Sequence, residues 1–376
     1  MWAGGPINGN LYGEFVQILL KKFSTNQEDA VANHGQKYMF QIDTHCAVES
    51  ILTSTILGLV RDRKSIVSSF IKQQLLENYN LFHHLQVLTR VLLIDTEYPY
   101  LTVYKYILHS IESDLGWRNE FHLTQMLEEC LDSEFPQFSS LFSISIADDS
   151  TDLTFSPHVL QVIDLITINF KVGLPVDLIL TAECMAKYNT IFRFILKMKW
   201  ALSSVQSLHF QDIATGSTPV QQKLYLLRHC LLHIICTLQS HHMCLLLQIF
   251  SVDLQKDLLS VSSVDSLVQV HERHLTTALF HCLLLPKQSP LQQGLIKILC
   301  LSDDLKLLWT SKANCTMKNI ELLELKYMKA VWNFTELLHR SIPSSSHQVY
   351  NSIFDLWSSM VISSPAHNIP EDPDDM

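Results

Sequence analysis

Apolar positions along this chain recur mostly at helical spacing. From Leu174 to Leu202 the run Met185, Tyr188, Ile191, Phe192, Ile195, Met198 and Leu202 forms one continuous apolar stripe. A short apolar run before it (Val176, Leu178, Ile179, Leu180) ends at Thr181, which is placed to cap the helix. Cys184 occupies the position where a capping box would carry Glu or Gln. Glu183 in the first turn and Lys197 and Lys199 near the end complement the helix dipole. The segment therefore predicts a buried helix after a short extended stretch.

The same periodicity predicts helices over 11–23, 41–61, 64–79 and 82–94. Another opens at Pro99 and runs to Glu112, with Tyr100, Val103, Tyr104, Ile107 and Ile111 on one face, and Trp117 to Leu131 follows. Later helices are expected over 224–250, 263–285, 291–309, 320–339 and 349–361. A loop over 212–219 and a turn at Pro343 separate them. Two segments break the pattern. Phe142 to Ile146 and Ile166 to Phe170 alternate at period two and flank the polar loop Asp148 to Asp152, so each predicts a short strand. The tail from Ser363 carries prolines and acids with almost no apolar residues, which predicts disorder. The fold class is all-α: a large helical bundle with at most a short β-hairpin-like insertion near 141–180.

With 376 residues the chain can bury a substantial core, and 47% apolar against 17% charged residues gives a thin charged coat. A net charge of -10 without a Lys/Arg cluster argues against nucleic acid as a partner and against docking on an anionic membrane. No membrane insertion is expected, because Arg228, His229, His233, Gln239, His241 and His242 interrupt the longest apolar run. Nine scattered cysteines show no disulfide framework, and no leader pattern opens the chain, so a reducing cytoplasmic setting is the expectation.

Motifs for bond chemistry are wanting. His229 and His233 share a helical face with Cys230 and Cys236 nearby, but no Cys-x2-Cys pair accompanies them, and histidines on a helix edge are the simpler reading. In the run from His271 to His274 the second imidazole falls at i+3, where a zincin needs i+4. Asp148, Asp149 and Asp152 lack the spacing of a calcium loop. No nucleophile elbow, P-loop or dinucleotide fingerprint is present, so neither metal, cofactor nor enzyme activity is expected. The aromatic residues Tyr188, Phe192, Trp200, Trp309, Trp332, Phe334 and Trp357 read as core, although interfaces also favour Trp and Tyr.

Four blocks in order carry a family resemblance. They are Leu76 to Leu88, continuing to Leu92 and Leu93; Trp117 to Leu131; Leu174 to Leu202; and Asp265 to Leu275. Together they resemble the C-terminal half of the gamma-tubulin complex components, over roughly residues 40 to 361. The chain departs from the family pattern in three places: Asp95 to Pro99 lacks the usual turn Gly, Leu174-Pro175 stands for Trp-Pro, and His274 takes an aromatic's place. The resemblance implies that 41–361 is a helical grip domain that binds gamma-tubulin. Residues 1–40 would be a remnant of, or linker from, an N-terminal grip domain, and 362–376 an acidic tail. It further implies a scaffold subunit that sits beside other gamma-tubulin complex components and templates microtubule growth at a centrosome or spindle pole. A generic all-α adaptor is the alternative. For partner contact the third and fourth blocks offer the basic residues Lys187, Arg193, Lys197, His271, Arg273 and His274, expected on exposed faces.

Overall fold

The computed structural model describes residues 57–93, 101–113, 117–147, 159–209, 218–311 and 316–341, together with residues 355, 357 and 358. The helix expected over 11–23, most of that over 41–61, the acidic loop at 148–152, most of the loop at 212–219, most of 349–361 and the tail lie outside the described residues. The first described helix, α1 (Leu57–Glu77), is continuous through Asp62 and Arg63, where two helices were expected to part. Neither Gly nor Pro stands there to break it, and its charged residues are accommodated at the surface, Arg61 exposed and Lys64 paired with Asp265 at 2.6 Å. Helices α2 (Leu81–Leu92), α3 (Leu101–Glu112) and α4 (Glu120–Asp132) follow close to expectation. Asn80, in a left-handed conformation at φ 45°, makes the turn between α1 and α2.

Both expected strands form. β1 (Phe142–Ile146) pairs antiparallel with β2 (Ile166–Phe170), Ile144 opposite Ile168, and the short α5 (Val159–Ile163) precedes β2. A two-stranded sheet is marginal alone and exposes two edges. Here helices satisfy both edges. On the β1 side, Thr124 Oγ1 accepts from Ile144 N at 3.0 Å and donates to Ile144 O at 3.4 Å, while Glu120 Oε1 accepts from Ile146 N at 2.6 Å. On the β2 side, Asn189 Oδ1 accepts from Ile168 N at 2.8 Å, and its amide donates to Ile168 O at 2.9 Å.

After a cis Leu174-Pro175 bond and a short 3-10 turn (Val176–Leu178), Thr181 caps α6 (Ala182–Gln206) through Cys184 N, as its position predicts. Fourteen of the 25 residues of α6 are buried, on more than one face, which marks it as the central helix. It packs against α7 (Thr218–Leu247), α9 (Val264–His281) and α10 (Ser289–Thr310). α7 runs on through a π turn (Gln248–Asp253) into α8 (Leu254–Ser260), ten residues past the expected end. Among the described residues, the stretch Pro219–Ser260 has the length and apolarity of a membrane span. Its Leu224, Leu231, Ile234, Ile235, Leu238 and Leu246 are buried in the bundle, where α7 packs on α6, α10 and α11.

α10 and α11 (Met317–Ser341) form a close pair. Gly294 permits it, since a Cβ there would lie 3.0 Å from the Phe334 ring. Trp357 closes this end: its ring meets Phe334 edge-on at 4.6 Å, and its Nε1 donates to Thr335 Oγ1 at 2.6 Å. The core runs without interruption from α2 to α11.

Candidate functional site

The third and fourth sequence blocks meet where α6 lies on α9; of the six basic residues singled out from sequence, Lys187, His271, Arg273 and His274 fall in or beside this seam, whereas Arg193 and Lys197 face Asp164 and α10. Tyr188 on α6 and His271 on α9 are both buried, with Tyr188 Oη 3.0 Å from His271 Nε2. Burial pushes the imidazole down to about 4 and raises the Tyr188 phenol, so both are neutral near pH 7. Beside this pair, Lys187 bonds Glu272 across the seam and Glu183 on its own helix at 3.2 Å. The hydrogen bond to Glu272 is the main cause of its raised pKa. Cys184 Sγ lies 3.7 Å from Glu272 Oε2, and burial raises that thiol. Beyond, Asp257 of α8 accepts from His274 Nε2 at 2.9 Å and from Arg273 at 2.7 Å; the His274 bond is the main cause of its lowered pKa.

Further along α6, Lys197 reaches Asp164 at 2.7 Å, and Arg193 lies in the same small pocket with its Nε enclosed and unbonded. Near the helix end, Trp200 Nε1 donates to Glu112 Oε1 at 2.9 Å, and the other oxygen of that carboxylate pairs with Lys306 at 2.9 Å. These contacts lock helices together.

The expected exposure of the six residues is therefore corrected. His271, His274 and Lys197 are buried. Lys187 is held between two carboxylates and Arg193 is half-buried. Arg273 alone among them leaves most of its side chain, 62%, in solvent. The reason is physical: the residues that make these blocks recognisable sit on the apolar faces of α6 and α9, and their polar members were drawn into the helix contacts with them, the histidines and Lys187 between α6, α8 and α9, Arg193 and Lys197 against Asp164 and α10.

The aromatic reading also changes at one position. Tyr188, Phe192, Trp200, Trp309, Phe334 and Trp357 are buried, but Trp332 is 48% exposed. It stands on the side of α11 opposite the buried stripe Ile320, Leu323, Tyr327, Val331, Phe334 and Leu338. Leu322 on the same side is 53% exposed. The sequence signal was available: α11 carries apolar residues at 3–4 spacing on two sides, and one side suffices for packing.

His229, His233 and Cys236 lie exposed on α7. Among the described residues no group of three or more His, Cys, Asp or Glu side chains converges as metal ligands. An opening of about 500 Å³ lies among α3, α6 and α7 and is lined by Tyr104, Glu112, Lys199 and Trp200, the last engaged with Glu112.

Residues 81–360 match the family model of the gamma tubulin complex component C-terminal domain. The chain is 27% identical over 259 residues to gamma-tubulin complex component 5 of Macaca fascicularis, covering 61% of this chain and 35% of that protein. Against component 5 of Mus musculus it is 25% identical over 300 residues, 72% of this chain and 29% of the other. Against component 6 of Homo sapiens it is 26% identical over 187 residues, 48% and 10% respectively. The chain thus spans about a third or less of the curated relatives it matches. Components 5 and 6 are also where the segment from Pro175 to Cys184 and the run from Lys197 to Ala201 point. With the matched region covering the helical bundle almost from end to end, the chain belongs to the gamma-tubulin complex component family.

Proposed function

We propose that this chain is a scaffold subunit of the gamma-tubulin complex, whose helical bundle binds gamma-tubulin and helps template microtubule nucleation. The observation that carries the reading is the extent of the family match, residues 81–360, which takes in α2 to α11 and not a single motif. The mechanism is geometric. A subunit that holds one gamma-tubulin beside those of neighbouring components sets lateral spacing in advance. It thereby offsets part of the association entropy of a nucleus, on the order of several kcal/mol per subunit. Reaction chemistry has no part in it, and the setting is the cytoplasmic microtubule-organising centre. Pull-down of purified gamma-tubulin by the full chain tests the proposal. Retention at micromolar concentration supports it, and failure to retain gamma-tubulin from a folded chain refutes it.

A further inference from the structure

We infer that the outward face of α11 is where the bundle receives gamma-tubulin, which meets it with a helix carrying carboxylates on either side of an apolar ridge. The inference rests on the proposed function and assigns it a surface.

Lys318, Leu322, Leu325, Lys329 and Trp332 follow one another at spacings of four, three, four and three along α11. That is the 3.5-residue repeat by which one helix seats another, and the row is about 21 Å long. It lies opposite the stripe that α11 buries, and Lys318, Leu322, Lys329 and Trp332 are exposed, with Leu325 half-buried between them. Leu322 and Trp332 leave about half their surface in water, which is a cost unless a partner covers them.

Charge decides the kind of partner. The chain as a whole is acidic, at -10, yet this face is not. Glu321 and Glu324 are both bridged by Lys223 of α7, at 3.5 and 3.2 Å. Glu336 pairs with Arg340 at 2.8 Å, and Lys326 with Asp304 at 2.9 Å. Lys318 and Lys329 have no such carboxylate among the described residues, so two positive charges remain on either side of Leu322 and Leu325. An acidic ridge is attracted there and a basic one is repelled.

The test measures affinity of the full chain for purified gamma-tubulin. Two variants alter the face: Trp332→Ser, and Lys318→Glu with Lys329→Glu. A control, Lys256→Glu with Lys287→Glu, makes the same charge change at exposed positions elsewhere. Each face variant is expected to weaken binding roughly tenfold or more, and the control to stay within about twofold. Added salt should weaken the wild-type complex more than that of the double lysine variant. Hydrogen exchange on the wild-type chain gives an independent reading, with slowed exchange expected over residues 318–333 when gamma-tubulin is added. Wild-type binding with unchanged affinity in the folded face variants, or with no protection over 318–333, overturns the inference and leaves the proposed function standing. Absence of wild-type binding overturns the proposed function, and the inference with it.

Discussion

Asn189 carries the attachment of the β-hairpin to the central helix, and replacing it with Ala measures that attachment. Its side chain, 2% exposed, accepts from Ile168 N at 2.8 Å and donates to Ile168 O and Met185 O, both at 2.9 Å. Ile168 sits opposite Ile144 at a position where its own amide and carbonyl point away from β1, so nothing else in the hairpin can satisfy them. Met185 O keeps a helical position in α6, so its loss is minor. The substitution leaves two buried backbone groups unpaired at about 1–3 kcal/mol each. Partial rehydration of the vacated space returns some of this, so a net loss of about 2–4 kcal/mol is expected, a large part of a domain's usual 5–15. Thr124→Val strikes the other edge at Ile144, where the threonine is only half-buried and water can replace it, and should cost about 1 kcal/mol. Guanidinium denaturation followed by far-UV circular dichroism, with the two variants beside wild type, provides the assay. A loss below about 1 kcal/mol for Asn189→Ala, or one no larger than that of Thr124→Val, would refute the view that buried edge satisfaction holds the hairpin.

Acid should destabilise the fold before the carboxylates titrate. Burial lowers His242 to about 3 and His271 to about 4, and also lowers His241 and His281, whereas unfolded imidazoles protonate near 6.5. The folded state then binds fewer protons, so this stability is full above about pH 6.5 and declines below it, by about 2 kcal/mol for each of His242 and His271 at about pH 5. A denaturation midpoint that stays level from pH 7.5 to 5 would contradict it. Gly294→Val should cost about 1–3 kcal/mol, because a branched side chain would press on Phe334 and part α10 from α11; an unchanged melting temperature would show the helices have slack. Lys197→Glu sets a carboxylate against Asp164 in a nearly buried position and should destabilise the fold, while Arg273→Glu, at an exposed site, should unfold nothing. Thermal melts of the two single variants separate these outcomes, and equal melts would count against the burial contrast.

The sequence by itself determined the elements, because element type is a local property. Period-two alternation placed β1 and β2 to the residue, and Thr181 marked the start of α6. The ordered blocks likewise pointed to the family, since their recognisable residues are those that pack. What sequence could not decide was which polar side chains remain in water. His271, His274, Lys197 and Trp332 lie on helices read correctly, yet periodicity describes one helix at a time. Whether a face is covered depends on which neighbour arrives. α6 and α8 enclosed the histidines, Asp164 drew in Lys197, and Trp332 was left half exposed. Partnering between distant segments is set by packing across the whole bundle, and so only the tertiary structure separated the seam that holds the bundle together from the face left exposed on α11.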